Sequence, residues 1–85
     1  MSAQHAPGPW RRMGHRHIAD AAGNVICEVW SGPTGIEQAD ANETLIAAAP
    51  ELLAALRAVI SVADRKTDEF DLAHAAIAKA TGAAQ

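Results

Sequence analysis

The sequence predicts a small α+β domain, an N-terminal antiparallel β-hairpin followed by two or three α-helices in the order ββααα. Three observations lead there. Asp20-Ala21-Ala22-Gly23 separates two stretches able to pair as strands; Asp suits the start of a type I turn, and Gly suits the positive φ that closes a bulged loop. Pro50 interrupts an alanine-rich helical stretch, where proline bars helical geometry in the residue before it and favours the first turn of the next helix. Beyond it, Leu52, Leu53, Leu56, Val59, Ile60 and Ala63 form one apolar stripe at helical spacing.

In chain order, residues 1–8 are small and polar, with Pro7 and Gly8, and read as a flexible lead-in. Residues 10–30 read as the hairpin. Placing Asp20 opposite Asn24 sets Ile18 against Ile26, Arg16 against Glu28 and Gly14 against Trp30. On the other face it sets His17 against Cys27, His15 against Val29 and Ala19 against Val25. An ion pair and an aromatic over a glycine are sensible cross-strand neighbours, although a slip by one residue would exchange the faces.

SGPTG at 31–35 is a turn-rich linker. Residues 36–81 are the helical part of this single 85-residue domain. A first helix runs from Ile36 or Glu37 to Ala48 or Ala49. The second starts at Pro50, with Glu51 at its positive end, and Asp64-Arg65-Lys66 closes it. Thr67 or Asp68 can cap a third, with Asp68, Glu69 and Asp71 in its first turn. Leu72, Ala73, Ala76, Ile77 and Ala80 form its expected buried stripe, Phe70 anchors its start and Gly82 ends it.

The apolar fraction is 49%, but much of it is alanine, which buries little area. The larger apolar side chains only roughly offset the conformational entropy of ordering so short a chain, so a homo-oligomer is expected. Cys27 is the sole cysteine, which rules out an intramolecular disulfide. No apolar run approaches the ~18 residues of a membrane span, and the first residues lack a secretory pattern. A cytoplasmic protein without a membrane partner is the expectation. The net charge is −3; residues 1–30 contribute +1 (three Arg against Asp20 and Glu28) and the remainder −4 (four basic, eight acidic). Such a chain is ill suited to grip duplex nucleic acid through phosphates.

Two segments carry a family resemblance: Pro7-Gly8-Pro9-Trp10, and Ala41-Asn42-Glu43-Thr44-Leu45-Ile46-Ala47-Ala48-Ala49-Pro50-Glu51-Leu52-Leu53. With the intervening hairpin and the ending Ala76-Ile77-Ala78-Lys79-Ala80-Thr81-Gly82, the chain resembles a family of short phage and prophage proteins. The resemblance implies a phage accessory protein made in a bacterial cell and brings no catalytic residues with it. Small accessory phage genes often encode inhibitors of host defence, such as anti-CRISPR proteins, or sponges for immune nucleotide signals; others are structural. The expected function is therefore non-enzymatic binding to a host protein, a defence component. The alternatives are a sponge holding a nucleotide-like signal between subunits and a structural phage component.

The candidate partner surface is the hairpin face bearing Trp10, Arg12, Arg16 and Trp30, with Arg11 beside it. Tryptophan and arginine are enriched at binding hot spots, and arginine pairs bidentately with carboxylate or phosphate. The plainer reading makes both tryptophans core and the arginines solvated. His15, His17 and Cys27 share the other face and have the chemistry of zinc ligands, but a fourth ligand is lacking, and buried Cys beside hydrogen-bonded His is ordinary core material. Neither a metal nor any other cofactor is expected. A Cys27–His17 nucleophile pair lacks an acidic orienting partner and an oxyanion donor. Phosphate loops, nucleophile elbows and paired carboxylates are also lacking, so an enzyme is not expected. Glu37, Asp40, Glu43, Glu51, Asp68, Glu69 and Asp71 could mimic nucleic acid, but most sit where carboxylates stabilise helix N-termini.

Overall fold

A computed structural model describes residues 4–30, 32–63 and 65–82. Three strands, β1 (Arg11–Met13), β2 (His17–Ala19) and β3 (Val25–Glu28), precede α1 (Ile36–Ala47), α2 (Ala49–Ala63) and α3 (Asp68–Thr81). A short 3-10 turn, Gly32–Thr34, leads into α1. The α+β class and the strands-then-helices order are as the sequence predicts. Residues 1–3 of the expected lead-in, Ser31 of the linker and Asp64 lie outside the described residues.

The sheet has one strand more than the expected hairpin. Its order is β1-β2-β3, all antiparallel. The long first strand is divided by a turn at residues 14–16, where His15 and Arg16 both adopt left-handed backbone (φ 64° and 66°). β1 therefore folds back on β2, pairing Arg12 with Ile18 and Met13 with His17.

The loop between β2 and β3 matches its expected chemistry. Asp20 N–H donates to the Asn24 carbonyl at 2.8 Å, and the Asp20 carboxylate accepts from the N–H groups of Ala22 and Asn24. Gly23 takes φ 90°. Ala19 pairs with Val25 as predicted, but a bulge follows, so that Ile18 faces Cys27 and His17 faces Glu28. Ile26 is the extra residue that shifts the register, and every expected pair beyond it is displaced. Ile18–Ile26, Arg16–Glu28, Gly14–Trp30, His17–Cys27 and His15–Val29 do not form. A bulge inserts one residue into one strand only, so the faces exchange beyond it.

The chain divides into two compact units, Ala6–Glu51 and the chain from Leu52 onward together with the first five residues. In the first unit, α1 packs on β1 and β2. Ile18, Ala19, Val29 and Ala39 are its buried apolar residues. Ile18 and Ala19 lie on the central strand, and Ala39 is small enough to bring the helix close. Val29 is buried, while Met13 and Val25 are exposed, because the turn and bulge give the packed face to Ile18.

The two segments that carry the family resemblance meet in this unit. A Cβ built on Gly8 would stand 2.9 Å from Pro50 Cβ, so the bare Gly8 backbone is what lets PGPW lie against the proline. Trp10 Nε1 donates to the Ala6 carbonyl at 2.9 Å and closes that segment on itself. Gly8→Ala is expected to destabilise the fold by about 1 kcal/mol, as overpacking does, read as a lower urea midpoint.

α1 ends at Ala47, and Ala48 stands between it and α2, in which Pro50 is the second residue. The break sits where proline forces it. In the second unit, Thr67 caps α3 by accepting from Phe70 N–H at 3.3 Å, and Gly82 ends it at φ 75°. The apolar stripes are less covered than predicted: neither α2 nor α3 has a buried residue among those described. Leu53, Leu56 and Ile60 on α2, and Phe70, Ala73 and Ile77 on α3, are half-buried, whereas Leu52, Val59, Leu72, Ala76 and Ala80 are exposed. Two helices have one mutual face, which cannot cover stripes as wide as these. Among the described residues no single helix is long and apolar enough to cross a membrane.

Candidate functional site

The hydrogen-bonded cluster between sheet and helix is built from Arg12, Arg16, Asp40 and Glu43. Arg12 is paired with Ile18 across β1 and β2, so it projects toward the side that α1 covers. Arg16 reaches the same side from the turn, through its left-handed backbone. On α1, Asp40 and Glu43 are spaced i, i+3, and Glu43 follows the buried Ala39 by four, which places all three on one face.

Glu43 is only 4% exposed and has both carboxylate oxygens engaged. Oε1 accepts from Arg12 Nε at 3.1 Å, and Oε2 accepts from Arg16 Nη1. Arg16 Nη1 also donates to Asp40 Oδ1 at 2.6 Å. Arg12 Nη1 donates to Thr44 Oγ1 at 3.3 Å, and its Nη2 stands 3.5 Å from Asp40 Oδ1. Thr44 in turn donates to the Asp40 carbonyl.

Electrostatically the cluster is balanced, two guanidiniums against two carboxylates. The Arg16 hydrogen bond, aided by Arg12, holds the Glu43 carboxyl below its ordinary pKa against the opposing effect of desolvation. The Glu43 and Asp40 hydrogen bonds raise that of Arg16. A carboxylate kept ionised in this way is a weak base at neutral pH. Left-handed conformation at two successive non-glycine residues is costly and persists only where surroundings impose it; here the carboxylates hold Arg16 in place. Beside the cluster opens a cleft of about 520 Å³ whose wall continues along Met13, Gly14 and His15.

Each candidate residue from the sequence can now be placed. Arg12 and Arg16, expected on a partner face, are brought together and bound to α1. Arg11 is exposed and lies near Gly23. Trp10 is half-buried, and Trp30 is 81% exposed. The zinc-type candidates are dispersed: His15 is in the turn, His17 shares a face with Glu28, and Cys27 shares the opposite face with Ile18. Among the described residues no group of three or more His, Cys, Asp or Glu stands close enough to hold a metal ion. Sequence reasoning missed Asp40 and Glu43 as partners of the arginines. The signal was present in two basic residues on one strand face and two acidic residues on one helix face, but the face of α1 that meets the sheet could not be assigned.

The family described as Salmonella phage P22 protein Y8K6 matches residues 1–84. The chain belongs to that family. No curated protein and no solved structure matches it. This phage protein thus carries the Gly8–Pro50 contact and the Arg–carboxylate cluster within a matched region spanning nearly its whole length.

Proposed function

We propose that this phage protein acts by non-enzymatic binding to a host protein, as an inhibitor of bacterial antiviral defence in the manner of an anti-CRISPR protein. The observation that supports binding is Trp30. The other large aromatics, Trp10 and Phe70, are half-buried, as small cores demand, whereas Trp30 is 81% exposed. Its indole lies against Gly32, where a Cβ would collide with Trp30 Nε1. The glycine backbone thus seats an outward ring, the kind of anchor on which interfaces concentrate their energy. Arg11 is exposed and serves as a peripheral contact.

The sponge reading draws less support. The arginines that would contact phosphates, Arg12 and Arg16, are already neutralised by Asp40 and Glu43. Affinity purification from expressing bacteria, followed by titration of the recovered target, tests the proposal. Trp30→Ala should weaken the complex about 30-fold, corresponding to ~2 kcal/mol for a hot spot, with unchanged circular dichroism; Arg11→Ala should have a smaller effect. Target binding that Trp30→Ala leaves intact rejects this surface. An ultraviolet-absorbing ligand released on denaturation, with no protein partner, supports the sponge instead.

A further inference from the structure

We propose that a second copy of this chain docks antiparallel along the outward face of α2. Leu53, Leu56 and Ile60 are half-buried within their own unit, and Leu56, Ile60 and the edge of Val59 line a mainly apolar groove with Glu69, Phe70 and Ala73 of α3. A different row is left open: Leu52, Ala55, Val59 and Val62, at i, i+3, i+7 and i+10. Leu52 is 54% exposed, Val59 52% and Val62 83%, and Ala55 is exposed as well. Spacings of three and four in alternation give the 3.5-residue period of a helix seam that meets another helix, rather than the broader face of a helix lying on a core.

The charges at the ends of the row select the occupant and its direction. Glu51 directly precedes Leu52, and Asp64, Arg65 and Lys66, together net +1, follow the end of α2. In an antiparallel pair, Leu52 meets Val62 of the second copy and Ala55 meets Val59. Each Glu51 then lies near the basic Arg65-Lys66 end of the other copy, and symmetry forms the contact twice. A parallel pair would oppose Glu51 to Glu51 and Arg65 to Arg65. Ala55 within the row and Ala58 at its edge allow the two helices to approach closely, and antiparallel helix dipoles favour the same direction. The pairing is self-complementary, as a two-fold interface requires. It stands independently of any host partner, because it concerns the purified chain alone.

Sedimentation equilibrium of the purified full chain at tens of micromolar should give twice 8.9 kDa. Val62→Glu, at a position already exposed, should give the monomer mass with unchanged helical circular dichroism. Glu51→Lys should weaken association, and Glu51→Lys combined with Arg65→Glu should recover it. In a Cys27→Ser background, mixed Leu52→Cys and Val62→Cys proteins should cross-link to each other in preference to themselves. A monomeric wild type, a Val62→Glu protein that stays dimeric, or Leu52→Cys linking mainly to itself would each overturn the proposal.

Discussion

Truncating Ile18 to alanine is expected to cost about 3 kcal/mol, the middle of the range for emptying a fully buried isoleucine site. Ile18 has no exposed surface and is the largest side chain in that state among the described residues. It occupies the centre of β2, between β1 and β3 and beneath α1. A chain of this length is stabilised by roughly 4–13 kcal/mol in total, so the loss is a large fraction of what holds the sheet and α1 together. Urea unfolding followed by circular dichroism should show a strongly lowered midpoint. Val25→Ala, at an exposed position on the adjoining strand, should change stability by no more than about 0.5 kcal/mol. Comparable effects at the two positions would place the core on the wrong face of the sheet.

Loss of the Glu43 carboxylate is the second large effect expected. Glu43→Gln leaves Arg12 and Arg16 facing Asp40 as the cluster's remaining carboxylate, and removes an ionised acceptor whose own side chain is nearly closed to water. A melting temperature lower by about 5 °C or more at pH 7 is the expected result, on the usual scale for a domain of this size. The acid dependence supplies a sharper check. The folded Glu43 carboxyl titrates below its ordinary value because Arg16 and Arg12 bind its charged form, whereas the unfolded carboxyl titrates near the reference value of about 4.3. Its stabilising contribution is therefore complete above about pH 4.3 and is lost as pH falls through the lower folded value. Thermal melts from pH 7 to pH 3 should show the wild type losing stability over that acid range. The Glu43→Gln protein should lose less, so that the two curves converge. Parallel curves would mean that the guanidiniums do not hold the carboxylate.

Both effects lie where two elements meet, and that is also where reading the sequence stops. The loop at residues 20–24 was legible because Asp20 and Gly23 set its geometry through their own backbone and side chain. The helices were legible for similar reasons. Pro50 forces the break before α2, Thr67 caps α3 and Gly82 takes the left-handed conformation that ends it. These are short-range effects, each contained within a few residues, so the local sequence is sufficient to produce them.

The turn at residues 14–16 was not legible, because two successive non-glycine residues, His15 and Arg16, adopt left-handed backbone there, a conformation uncommon without glycine. They are held there once Arg16 meets Asp40 and Glu43, residues more than twenty positions away. The bulge at Ile26 is similar: it turns on which face of β2 packs against α1, and alternation in the sequence is equally compatible with either face. The element order and helix ends of this phage protein therefore follow from its local chemistry. The division of the sheet into three strands, the face it buries and the conversion of Arg12 and Arg16 into a clamp on α1 depend on tertiary contact, because packing and ion pairing between distant segments can outweigh local conformational preference.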